Sequence, residues 1–153
     1  MPVYYFDTSG LVKRYVAEIG TAWVTSIMDP VAGNLLHVAR LTGVEVVSAI
    51  TRRARGGSLS AAHAASALTR FRVDFRTRFQ IVGIRVALVK HAMRLAETHV
   101  LRGYDAVQLA AALQVHRRCV ALGHSLTLVS ADTDLNAAAV AEGLLVEDPN
   151  SHP

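Results

Sequence analysis

Cysteine occurs once, at position 119, and lysine only twice; no apolar run reaches membrane-spanning length before Arg, Gln, Asp or Glu interrupts it. A single cysteine excludes an intrachain disulfide, which suits a reducing compartment, and Cys119 reads as a small buried apolar residue rather than a nucleophile. The interrupted runs argue against a transmembrane helix. Met1-Pro2-Val3 lacks a basic segment followed by a long apolar stretch, so the expected location is cytoplasmic. Internal repeats and low-complexity linkers are also missing. With 52% hydrophobic and 18% charged residues the chain has ample material for one core. One domain is expected over residues 1–148, followed by a short tail over 149–153.

The scarcity of lysine throws the positive charge onto arginine, which supplies fourteen of the sixteen basic residues against twelve acids, for a net charge of +4. Guanidinium binds phosphate through a planar fork, so the bias is compatible with a nucleic-acid partner. A GC-rich genome produces the same composition, and the charge identifies no partner by itself.

What is present starts with Val3-Tyr4-Tyr5-Phe6-Asp7-Thr8-Ser9-Gly10. A short aromatic and β-branched run ends on a carboxylate, then on turn-forming hydroxyls and a glycine, which predicts a buried strand delivering Asp7 to the start of a helix. Further helices are predicted from Thr21, with Trp23, Val24 and Ile27 on one face, from Thr42, from Ser58 or Ser60, from Ala87 and from Asp105. Strands are expected at Asn34–Val38, Phe79–Ile84, Ser125–Ser130 and Leu144–Val146. The segment Ala106–Leu113 is apolar on nearly every side and should be a buried central helix. Strands separated by helices imply right-handed crossovers. The expected fold is therefore α/β, a three-layer α/β/α sandwich around a mainly parallel, twisted sheet of four to five strands.

Ligands of open α/β sheets bind beyond the carboxyl ends of the strands, and four acids are placed to reach that edge: Asp7, Glu45, Asp105 and Asp132. Each has a structural explanation. Asp7 and Asp132 sit where helix caps belong, and Thr42-Gly-Val-Glu45 and Asp105-Ala-Val-Gln108 have the form of capping boxes. Caps, however, are satisfied equally by Ser, Thr or Asn, whereas here an acid recurs. Four convergent carboxylates repel one another unless protons or a cation intervene, and oxygen-only ligation suits Mg²⁺, with Mn²⁺ as a substitute. The seven histidines are scattered without ligand spacing and read as structural or exposed.

Phe6-Asp7-Thr8-Ser9-Gly10-Leu11-Val12-Lys13-Arg14-Tyr15, Glu45-Val-Val-Ser-Ala, Leu101-Arg-Gly-Tyr-Asp105-Ala-Val-Gln-Leu-Ala-Ala-Ala and Val129-Ser-Ala-Asp132-Thr-Asp-Leu together resemble the motifs of PIN-domain nucleases. The resemblance is strongest to the VapC-like toxins of bacterial toxin–antitoxin pairs and covers essentially the whole chain. It implies a Mg²⁺-dependent endoribonuclease with Asp7, Glu45, Asp105 and Asp132 as the catalytic acids. Asp7 and Asp105 are expected as metal ligands, Glu45 either completes that site or orients the attacking water, and Asp132 or Asp134 serves a second ion or its hydration shell. Thr8 or Ser9, and Ser130, match positions that support the acids. A cognate antitoxin and a homodimer are implied as partners, with the Trp23 helix as a candidate dimer face.

RNA contacts are expected from basic residues near these acids: Lys13, Arg14, Arg52 and Arg53, with Tyr104 available to stack on a base. The competing reading of the charge run is a solvated helix face or a docking surface for an acidic antitoxin segment. Two other functions stand as alternatives. One is a non-catalytic PIN-type module that binds RNA or protein. The other is a phosphatase-like α/β hydrolase, which expects a second aspartate two residues after the first, where this chain has Ser9.

Overall fold

Alternation along the strands sets the layers. In β1 (Val3–Phe6), Val3 and Tyr5 join one core and Phe6 the other; in β4 (Leu126–Val129), Leu126 and Leu128 join the first and Val129 the second. A strand whose both faces are apolar must be covered on both sides, and in the computed structural model, which describes residues 1–153, it is. With β2 (Leu35–Ala39), β3 (Gln80–Val82) and β5 (Leu145–Glu147) these form one five-stranded sheet, parallel throughout, in the order β3-β2-β1-β4-β5.

One face is covered by α1 (Thr8–Leu11) with the 3-10 turn Val12–Arg14 that continues it, α2 (Thr21–Ile27), α3 (Arg40–Arg55) and α4 (Ala61–Thr77). The other is covered by α5 (Val86–His99), α6 (Gly103–Ala121) and α7 (Thr133–Ala141). The chain winds outward through β2 and β3, then returns to place β4 on the other side of β1. The strand order thus reverses between β1 and β4. At such a reversal the two connections leave to opposite faces and a crevice opens above the strand ends. The expected three-layer sandwich and the buried central helix are both present: nine residues of α6 are buried. No helix is long and apolar enough to cross a membrane.

Several boundaries differ from the sequence reading for physical reasons. α3 begins at Arg40, not Thr42, because Thr42 is fully buried and its hydroxyl is taken by Gln108 at 2.9 Å. α2 is entered through Gly20 at φ 89, a conformation glycine tolerates, while Thr21 Oγ1 donates to the Lys13 carbonyl at 2.8 Å. Trp23 does not offer a free apolar face: His152 stacks on it at 4.2 Å with the rings 3° from parallel. The last residues therefore fold back onto α2. Exposed apolar surface lies instead on α5, where Val86, Val89 and Met93 share one side of the helix.

Candidate functional site

The crevice at the reversal is built by four elements that each bring one acid. Asp7 follows β1 and caps α1, its Oδ1 accepting from the Gly10 N–H at 3.0 Å. Asp132 follows β4 and caps α7, its Oδ1 accepting from the Leu135 N–H at 2.9 Å. Glu45 lies in the second turn of α3. Asp105 lies in the first turn of α6 but is not its cap, a position held by Arg102. The capping-box readings of Glu45 and Asp105 fail, because neither carboxylate accepts from a backbone N–H. Their partners are side chains.

The expected supporting hydroxyls lie against the acids. Ser9 Oγ donates to the Asp7 carboxylate, 2.8 Å to Oδ1 and 3.0 Å to Oδ2, and accepts from the Ala131 N–H at 2.9 Å. One hydroxyl thereby ties the end of β1 to the loop after β4. Ser130, fully buried, accepts from the Asp132 N–H at 3.1 Å. Thr8 Oγ1 is buried and makes no well-formed hydrogen bond, but it faces Glu45 across the cleft both line, near enough to favour that carboxylate's ionised form.

Two residues that the sequence reading did not assign to the site hold it together. Gln108, buried on α6, accepts from the Tyr5 hydroxyl at 2.6 Å and donates to Thr42 at 2.9 Å and to Glu45 Oε1 at 2.8 Å. It joins β1, α3 and α6 above the sheet. Arg102 donates from Nε to Asp105 Oδ2 at 3.2 Å and from a terminal nitrogen to Asp132 Oδ2 at 3.1 Å. A polar amide inside the otherwise apolar segment Ala106–Leu113, one turn after Asp105, was the available signal for Gln108. Arg102 carried none beyond its place in the motif.

The acids feel one another. Burial pushes the Asp7 carboxyl up to about 7, against the hydrogen bonds from Gly10 and Ser9 that favour its ionised form, and Asp132 raises it further. Burial also raises Glu45, opposed by the Gln108 hydrogen bond and the Thr8 hydroxyl, with Asp105 adding to the rise. Asp105 is raised by burial and by Asp132, and Arg102 pulls it back. The cluster thus carries more negative charge than its surroundings stabilise.

Beside it is a cleft of about 440 Å³ lined by Thr8, Glu45, Ser48, Arg52, Arg102 and Tyr104 among others. Of the residues expected to touch substrate, Arg52 and Tyr104 are here. Lys13, Arg14 and Arg53 are elsewhere. Lys13 is buried, its ammonium bound to the Ile19 carbonyl at 2.8 Å and to Asn150 Oδ1 at 2.9 Å. Arg14 lines a separate hollow with Tyr15, His63 and Arg70, and Arg53 pairs with Glu18 at 3.4 Å. Asp134 lies in the first turn of α7, beside His99 and Val100 in another hollow.

The acids around the crevice form an all-oxygen donor set. No three acidic, histidine or cysteine side chains converge on one point closely enough to hold an ion as they stand, and Arg102 spans the gap between Asp105 and Asp132. The chemistry nevertheless fits: carboxylate oxygens only, pushed toward protonation by burial and mutual repulsion, with the buried Thr8 hydroxyl facing Glu45 beside them.

Residues 4–141 match the family described as the PIN domain. Ribonuclease VapC45 and ribonuclease VapC49, both from Mycobacterium tuberculosis strains, are each 36% identical over 115 residues, covering 75% of this chain and 78% of theirs. A toxin–antitoxin complex from Klebsiella pneumoniae contains a chain that superposes with a TM-score of 0.64 at 20% identity, over 95% of this chain and 97% of that one. Mycobacterium tuberculosis VapC20, described as a sarcin-ricin loop cleaving toxin, superposes with a TM-score of 0.63 at 16% identity, over 98% and 99%. At those identities the superpositions speak for the fold alone.

Proposed function

The chain belongs to the PIN-domain family, and from that premise we propose that it is an endoribonuclease, the toxin of a toxin–antitoxin pair, whose cleavage of RNA phosphodiester bonds depends on Mg²⁺, with Mn²⁺ able to substitute. The observation that carries this reading is that Asp7, Glu45, Asp105 and Asp132, from four separate elements, border the crevice where the strand order reverses, near enough that Asp132 raises Asp7 and Asp105 and Asp105 raises Glu45. Their mutual repulsion has no structural use, since Asn or Ser would cap α1 and α7 as well. The names of the two ribonuclease relatives support RNA as the substrate class, and the antitoxin partner follows from the resemblance to VapC-like toxins.

Asp7 and Asp105 would hold the ion, with Asp132 and Glu45 completing the acidic set. When bound, the ion supplies positive charge for the phosphoryl oxygens and acidifies a water. The chain's own contributions are orientation and charge. Ser9 fixes the Asp7 carboxylate against the loop after β4. Gln108 occupies Glu45 Oε1 and leaves Oε2 to receive a proton from a water in the cleft. Arg52 lies on the cleft wall where an RNA phosphate passes, and Tyr104, 63% exposed, offers a ring on which a base can stack.

Incubation with mixed RNAs is expected to yield internal cuts with Mg²⁺, none in EDTA, and restored cutting on adding Mg²⁺ back. Metal-independent binding without cleavage would leave the binding-module alternative, and turnover of a phosphomonoester without RNA cutting would leave the phosphatase-like one. Co-expression with the product of the adjacent small open reading frame is expected to restore growth. A homodimer belongs to the same proposal, with the Val86, Val89 and Met93 stripe of α5 as its face. Light scattering that shows only monomer at micromolar concentrations removes it.

A further inference from the structure

Among the seven ion pairs of the molecule, two involve the acidic set, and both are made by Arg102. The guanidinium reaches Asp105 Oδ2 at 3.2 Å and Asp132 Oδ2 at 3.1 Å, so one fork clamps acids from two elements. Asp7 and Glu45 pair with no cation. The clamp is nevertheless loose. Arg102 stands at the position before α6 with its side chain 79% exposed and makes no capping hydrogen bond. Water competes for an exposed guanidinium, and such pairs are weak. The side chain also lines the cleft beside Glu45, Arg52 and Tyr104. Its stem is therefore anchored at the mouth of the cleft while its head is held among the acids by contacts that a doubly charged ion can replace.

We propose that Arg102 is the resident counter-ion of the acidic site: it holds Asp105 and Asp132 in the metal-free protein, a divalent cation competes with it for those carboxylates, and the displaced guanidinium swings on its long stem to the RNA phosphate. The inference rests on the endoribonuclease reading for its last step only. The competition is a property of the metal-free protein and stands apart from any substrate. Its physical basis is that a guanidinium and a divalent cation drawn to the same two carboxylates repel each other, so the binding of either weakens the other. Metal loading and guanidinium release are then a single exchange, which keeps the site closed to RNA phosphate until the ion that activates it has arrived.

The test uses the full chain with Mn²⁺ alone as probe, by calorimetric titration, on wild type, Arg102→Ala and Arg102→Lys. Because the Arg102 side chain caps nothing, Arg102→Ala should keep the helical circular-dichroism spectrum, and its melting temperature in EDTA should fall slightly as Asp105 and Asp132 lose their counter-charge. Mn²⁺ should bind Arg102→Ala about fivefold more tightly than wild type, the factor that an exposed ion pair of this kind represents. Arg102→Lys, a point charge without the fork, should fall between. Mg²⁺-dependent RNA cleavage at saturating metal should fall at least about tenfold in Arg102→Ala. Unchanged or weaker Mn²⁺ binding overturns the counter-ion, whether or not RNA is cut. Tighter Mn²⁺ binding with undiminished cleavage overturns the transfer to phosphate. If wild type cuts no RNA at all, the endoribonuclease reading fails, while tighter binding by Arg102→Ala still supports the competition.

Discussion

Asp7→Asn is expected to abolish RNA cleavage, by at least about a hundredfold, while making the metal-free protein more stable. The two effects share a cause. Asp7 is 4% exposed, and burial with the nearby Asp132 charge lifts its carboxyl from 3.8 to about 7. For an acid whose folded value is raised, the folded state keeps a proton that the unfolded state has released. That residue's contribution is therefore neutral below pH 4, becomes increasingly destabilising as pH rises toward 7, and is a full penalty above it. Asparagine caps α1 equally well and cannot ionise. In EDTA the stability difference between Asp7→Asn and wild type should grow between pH 4 and 7, reaching up to about 4 kcal/mol. Urea unfolding at pH 4.5 and pH 8, alongside the cleavage assay, measures both. A difference that does not change with pH would show that Asp7 does not titrate in this range, and near-normal cleavage would remove it from the catalytic set.

Gly10→Ala should damage the fold more than any other glycine substitution near the site. A Cβ at position 10 would lie 2.5 Å from the Val129 carbonyl oxygen and 3.0 Å from its carbon, which are backbone atoms of β4 that cannot rotate away. Relief requires α1 to move off β4, stretching the bond from the Asp7 N–H to Val129 O, now 3.2 Å, and the one from the Ala131 N–H to Ser9. A loss of roughly 3 kcal/mol is expected, at the upper end for overpacking. Gly103→Ala serves as the control, since nothing lies within 4 Å of its Cβ position, and its stability should change by well under about 1 kcal/mol. Equal unfolding midpoints for the two variants would sink the close-approach argument.

The sequence made Asp7 legible because the strand before it is written in aromatic and β-branched residues and the turn after it in hydroxyls and glycine. That pattern is local, and local signals carried the layer order, the parallel sheet and the buried α6. The errors came where a distant residue decides the outcome. Lys13 reads as a free cation one helical turn beyond Asp7, yet its ammonium is taken by Asn150, 137 positions away. Trp23 reads as an open apolar face until His152 covers it. Asp105 looks like a cap because Gln108 follows at capping-box spacing, but the amide points the other way, to Glu45 and Thr42. In each case a motif that is correct in isolation was outbid by a tertiary partner that spacing cannot show.

The direction of the bonds through Gln108 sets a polarity. Tyr5 donates to the amide oxygen, which leaves the amide nitrogen only the role of giving protons, to Thr42 and to Glu45 Oε1. Hydrogens therefore point outward along the chain, from the core of the sheet toward the crevice, and a flipped amide would set its oxygen against Oε1 of Glu45, acceptor against acceptor. Oε1 of Glu45 therefore has one of its two lone pairs engaged by the amide. A tyrosine buried in the central strand thus makes two otherwise equivalent oxygens unequal, Oε1 carrying the amide's hydrogen bond and Oε2 none from it.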